Sequence, residues 1–217
     1  MAITFGALLA SGNNAITSFT TGSITPTAGN LNILTFMARN NTNASPGVAG
    51  NGVTWTRLAI SGSGNEMQVW YSVGGTPGTI AVTSLTSSTE NIWMVSDFSG
   101  TLTSGTIFPQ SSYSTGSGTA ISTTLASGIT SGNTAFGFAH RGNAAVTFTA
   151  GSGFTKIGQR AGTGRAVAAE YELNKSDDSV VDMTIDNTGS WNVCAFEIAA
   201  DGGGGGPTYD GKFFQLF

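Results

Sequence analysis

Charged side chains are scarce in this sequence: they make up 9% of its 217 residues, against about 25% in an average globular protein. Eight Lys and Arg stand against twelve Asp and Glu, giving a formal net charge of −4, and no run of basic residues occurs. A nucleic-acid face needs clustered cations to neutralise phosphates, so nucleic acid is excluded as a partner. There is one cysteine, Cys194, and one histidine, His140. A single cysteine forms no internal disulfide, so the fold must hold by packing. A single histidine with no other ligand nearby in sequence makes neither a zinc site nor a His-activated nucleophile. No apolar run approaches the roughly 20 residues of a membrane-spanning helix. The opening stretch, Met1 to Ala10, lacks the basic flank of a signal peptide and reads as a first strand. A chain without export signal or disulfides is expected to fold in a cytoplasm, off the membrane.

Gly, Ser, Thr and Asn take the place of charge. Gly numbers 32 and supplies turns with positive φ; Ser, Thr and Asn are poor helix formers, and Thr suits exposed strand positions. No window sustains a 3.6-residue period, which predicts almost no helix. Strand signals bounded by Gly, Asn and Pro clusters lie at 31–38, 54–60, 67–73, 79–84 and 91–98, then at 134–140, 145–149, 154–159, 166–173, 180–185 and 191–199. In the last of these, Trp191, Val193 and Ala195 face one way and Cys194, Phe196 and Ile198 the other. That strand is expected to be buried on both faces.

The two sets of strands match. Thr27 to Asn30 (Thr-Ala-Gly-Asn) parallels Thr130 to Asn133 (Thr-Ser-Gly-Asn), and Trp55 parallels Phe154. Tyr71 parallels Tyr171, and the Trp93 to Phe98 strand parallels Trp191 to Phe196. The last three pairs are 98 to 100 residues apart. Each half offers about five strands with one amphipathic face, which two halves bury by closing on each other. The expected fold is all-β: an antiparallel, jelly-roll-like β-sandwich over residues 1–200. Its quasi-repeats span about 20–100 and 121–200, related by a pseudo-twofold axis. The segment from Gly100 to Ser127 is too apolar for a tether and is expected to supply edge strands.

Residues 201–217 differ in kind. Five glycines, Gly202 to Gly206, read as a flexible hinge. The peptide after it carries Tyr209, Phe213, Phe214, Leu216 and Phe217. So many large apolar groups at a chain end point to an extended C-terminal arm that docks on a neighbouring subunit or another protein; the alternative is a terminal strand folding back onto its own sheet.

Acidic residues offer the remaining chemistry. Glu170 and Glu172 share one strand face, as a glycosidase pair would, but Trp70 and Ser72 stand at the matching places in the first half. Asp177, Asp178, Asp182 and Asp186 fall near a loop without Ca²⁺-loop spacing. Both groups are read as solvated surface charge. Cys194 is read as a small buried apolar residue and His140 as a strand-end residue, leaving no catalytic, metal or cofactor site. Arg39 and Arg141 occupy matching places after matching strands and, with Trp70, are the candidate surface contacts.

The strand Trp93-Met-Val-Ser-Asp-Phe-Ser-Gly100, the Gly29-Asn-Leu-Asn-Ile-Leu34 strand start and Gly153-Phe154-Thr155 resemble those of phage and prophage virion modules. These are β-sandwiches that serve as capsid decoration (cement) proteins or as tail and fibre domains. The resemblance covers most of residues 20–200 and carries over no binding residue. It implies a non-enzymatic virion protein that forms homo-oligomers and contacts a major capsid or tail protein. The alternative is a tail or cell-surface receptor- or glycan-binding module.

Overall fold

The computed structural model describes residues 1–41, 46–61, 65–174 and 179–202. These residues form strands and no helix. The first half contains β1 (Thr4–Asn14), β2 (Phe19–Thr20), β3 (Leu31–Arg39), β4 (Gly47–Gly50), β5 (Val53–Thr54), β6 (Thr56–Ser61), β7 (Asn65–Val73), β8 (Ile80–Thr83) and β9 (Glu90–Ser99). The second contains β10 (Ser111–Thr124), β11 (Thr134–Arg141), β12 (Phe148–Ala150), β13 (Thr155–Ala161), β14 (Ala166–Leu173) and β15 (Val180–Ile198). Every pairing between them is antiparallel. The protein is an all-β sandwich.

Strand order repeats between the halves: β1-β9-β3-β7-β6 in one inner sheet and β10-β15-β11-β14-β13 in the other. The inner sheets face each other across a seam filled by Leu31, Ile33, Met37, Val69, Met94 and Phe98 from the first half. Phe136, Phe138, Val167, Cys194, Phe196 and Ile198 fill it from the second. Phe98 meets Phe136 and Tyr171 edge-on across the seam, at 6.1 and 5.8 Å between ring centroids, and Phe5 stacks on Tyr171 at 4.8 Å.

Each half also owns an outer layer that sequence patterning does not reveal. In the first, the sheet β2-β8-β4-β5 covers the far face of β3 and β9. Phe19, Ile80 and Val82 pack there on Leu34, Phe36, Trp93 and Val95. In the second, strands β10 and β15 are long enough to cross from one layer to the other. The end of β10, the start of β15 and the short β12 paired to it lie over Ala139, Ala166, Ala168 and Val193 through Ile121, Met183, Ile185 and Phe148. The register slips between Gly118 and Ala120 where β10 turns this corner. A hydrogen bond between the Ser112 and Thr123 hydroxyls (2.8 Å) and one from Ser114 to Thr123 (2.9 Å) tie its two ends together. An amphipathic unit with one bare face is therefore not what either half is: both faces of each inner sheet are covered. The outer strands β2, β4 and β5, of two to four residues, are too short to show periodicity.

Pairing register refines the internal match. Thr56 pairs Tyr71 and Thr155 pairs Tyr171, each followed by a bulge, after Arg57 and after Lys156. Asn32 pairs Asp97 and Ala135 pairs Glu197. Counted from those acids, Trp93 lies four residues upstream of Asp97 and Trp191 six upstream of Glu197. The two tryptophans share a face but not a position. Each lies over a glycine of the neighbouring edge strand: a Cβ on Gly12 or on Gly116 would sit 2.4 Å from the tryptophan ring.

Candidate functional site

Matched turns open the middle strand of each inner sheet, β3 and β11. The sequence Thr-x-Gly-Asn closes with Asn30 N–H to Thr27 C=O (3.1 Å) and Asn133 N–H to Thr130 C=O (2.9 Å). Gly29 and Gly132, at φ 79° and 90°, take the third place of the turn, which only glycine occupies without strain. Each asparagine then donates from Nδ2 to a buried acid of the adjacent strand, Asn30 to Asp97 (2.8 Å) and Asn133 to Glu197 (2.6 Å). Asp97 also accepts the Ala7 amide (2.7 Å), and Glu197 accepts the Thr130 amide (2.8 Å) and Gln110 Nε2 (2.7 Å). Burial alone would push the Glu197 carboxyl up; the bonds from Asn133, Thr130 and Gln110 outweigh it and hold the group below the usual carboxylate range. A carboxyl depressed on folding adds stability above its unfolded pKa, and that stability disappears as pH falls through the folded value. Glu197→Gln is therefore expected to lower stability by about 2 kcal/mol at pH 7. The difference should close in urea titrations below about pH 4.

The other acids are structural too. Glu170 is fully buried, not solvated: it faces inward between the layers of the second half and accepts the Gly151 amide at 3.1 Å. Its neighbour Glu172 is half-buried beside Gly153, Asp182 is half-buried and Asp186 is exposed. Asp177 and Asp178 lie outside the described residues. Among the described residues, no three His, Cys, Asp or Glu groups are placed to hold a metal ion. Cys194 is buried in the seam.

Of the candidate contacts, Trp70 is half-buried on the outer-layer face of the first half. Its indole N–H donates to Gln68 (2.8 Å), and the Arg57 guanidinium lies 5.9 Å from its ring centroid. Arg39 and Arg141 do not match as the sequence spacing implies. Arg39 is nine residues past Asn30 and Arg141 eight past Asn133, so with side chains alternating they point to opposite faces. Arg39 shares the seam face of Met37. Arg141 shares the outer face of Ala139 and donates from Nη2 to Asn187 Oδ1 (3.2 Å) and Thr188 C=O. It is His140, seven residues past Asn133, that occupies the position of Met37. Tyr209, Phe213, Phe214, Leu216 and Phe217 lie outside the described residues.

At the end of the seam where Arg39 lies, polar groups of both halves converge. Arg39 pairs Glu90 across β3 and β9. Glu90 is buried and accepts, through Oε1, the amides of Thr163 and Gly164 (3.1 Å for Gly164) in the turn between β13 and β14. Gly162 makes this approach possible, because a Cβ there would sit 2.0 Å from that same Oε1. The turn continues into Arg165, which enters β14 beside β11 and His140. His140 is 3% exposed. Burial, with the charges of Arg165 and Arg141, pushes its imidazole down to about 3. Burial also lowers Arg165, with Arg39 and Arg141 adding repulsion and Glu90 opposing it. Neither Glu90 nor Arg165 stands out in the sequence; the only trace of their meeting is the Gly162-Thr-Gly164 turn. The chain matches no protein-family model, no curated protein and no solved structure.

Proposed function

We propose that the protein is a non-enzymatic structural component of a virus particle, a capsid decoration protein that stabilises the head through oligomer and arm contacts. One observation carries this reading: the chain is fastened where the arm departs. Asp201 N–H donates to Gly100 C=O (2.8 Å), the Met1 ammonium donates to Asp201 C=O, and Ala200 N–H donates to Asn133 Oδ1 (2.9 Å). An apolar peptide leaving from a fixed point can clamp a neighbour without loosening the sandwich. A depression of about 580 Å³, lined by Met1, Ala2, Gly29, Gly100, Thr101 and Asp201, lies at the root of the arm. The use of Asp97, Glu170 and Glu197 as hydrogen-bond acceptors for the backbone and for amide side chains also favours a structural role. A glycan-binding role would instead use an open aromatic face, and Trp70 is already flanked by Arg57.

Ending the chain after Gly202 tests the proposal. The truncated protein is expected to fold with unchanged stability. Its affinity for capsids, read by co-sedimentation and electron microscopy, should drop by roughly 30-fold or more, the loss of one strong aromatic anchor. Unchanged particle binding would refute the arm's role.

A further inference from the structure

We propose that the mouth of the seam at Arg39, Glu90, His140 and Arg165 is a binding site for a small protonated oxyanion of the phosphate class. Three of the chain's eight Lys and Arg gather around this end, where Arg165 is repelled by both Arg39 and Arg141 and, among the described residues, attracted by the carboxylate of Glu90. That concentration of positive charge, in a protein of net charge −4, favours an anion.

The hydrogen-bonding groups specify the ligand more closely. Arg39 Nε, both ring nitrogens of His140 and Glu90 Oε2 are buried and make no hydrogen bond to the described protein atoms. Buried polar atoms without partners are uncommon, and four on facing strands of one seam make a group. By strand alternation His140 shares the face of Phe136 and Phe138, while Arg39 and Glu90 share that of Met37 and Ile92, so all three look into the seam. A Cβ on Gly164 would lie 3.2 Å from Arg39 Nη1 and 3.8 Å from Glu90 Oε2, which places both groups against the same turn.

The unmatched set is mixed. Arg39 Nε and one imidazole N–H are donors; the other imidazole nitrogen and Glu90 Oε2 are acceptors. A fully ionised oxyanion satisfies only the donors and is repelled by Glu90. Hydrogen phosphate brings anionic oxygens for the guanidinium and the imidazole N–H, and a P–OH that donates to the ring nitrogen or to Glu90. Sulfate at neutral pH has no such proton. Arg39 and Arg165 are only half-buried, which leaves a route from solvent.

The unique histidine gives a direct readout. Inorganic phosphate at pH 7 is expected to shift the His140 ring resonances saturably in proton NMR and to raise the melting temperature. Sodium chloride of equal ionic strength should do neither, and sulfate should act much more weakly. Arg39→Gln and Arg165→Gln, at half-buried positions, should keep the native amide spectrum and raise the phosphate midpoint by about tenfold or more. Equal responses to phosphate and sulfate, or to chloride, would mean an adventitious ion only. No response at all would mean that water alone satisfies these groups. Either result overturns the assignment, as does a phosphate midpoint unchanged in both variants.

Discussion

Phe98→Ala is expected to destabilise the protein by about 3–5 kcal/mol, the cost of emptying a large aromatic from a packed core. Phe98 is fully buried and belongs to the first half; its ring meets Phe5 of that half and Phe136 and Tyr171 of the second. Deleting it leaves a void that neither sheet can fill by itself. The same substitution tests how the halves cohere. Each half has an outer core of its own, around Phe19 and Phe36 in one and Phe148 and Met183 in the other. Separating the halves, however, would strip the seam face of both inner sheets. Urea unfolding of the wild type is therefore expected to be one transition. Phe98→Ala in the seam and Phe148→Ala in the outer layer should move that same transition. If Phe148→Ala moves only one of two resolved transitions, the halves are independent domains.

Strands whose two faces both pack are legible in the sequence, and the parts with little pattern are not. Leu31 to Ala38 reads as a strand and Trp191 to Ile198 as a strand apolar on both faces, and both lie deep in the inner sheets. The Thr-x-Gly-Asn turns are visible because the motif recurs in both halves and positive φ demands glycine; the turn bond itself uses only the asparagine backbone N–H. The carboxylate that each asparagine reaches is not visible: Asp97 and Glu197 are brought to Asn30 and Asn133 by strand pairing across 67 and 64 residues. Trp93 and Trp191 align on ring type, whereas register follows backbone pairing and places them two residues apart. Glu170 reads as solvated because alternation gives a side chain's face, and only the outer layer, made of short or bent strands, decides whether that face is covered. The polar mouth of the seam is hidden for the same reason, since its members come from three strands and one turn.

Replacing His140 with Met should change the response to acid more than any surface substitution. In the folded protein, burial beside Arg165 and Arg141 keeps the imidazole neutral down to about pH 3, whereas an unfolded histidine takes up a proton near pH 6.5. Between those values the unfolded chain binds more protons, so stability must fall as pH is lowered. The maximal slope is about 1.4 kcal/mol per pH unit, which amounts to about 3 kcal/mol lost between pH 6.5 and pH 4. His140→Met removes that loss. Its side chain is of similar size, and Met37 already serves at the corresponding place in the first half. At pH 7 the variant is expected to match or exceed the wild type, by about 1 kcal/mol, because two buried nitrogens without partners among the described residues disappear. At pH 4 its advantage should widen to about 4 kcal/mol, while the part of the acid response that belongs to Glu197 stays in both proteins. Urea midpoints measured at both pH values in sodium chloride, free of phosphate, give the comparison. Parallel acid slopes for the two proteins would show that His140 is not held neutral, and that the mouth of the seam is wetter and less positive than its burial implies.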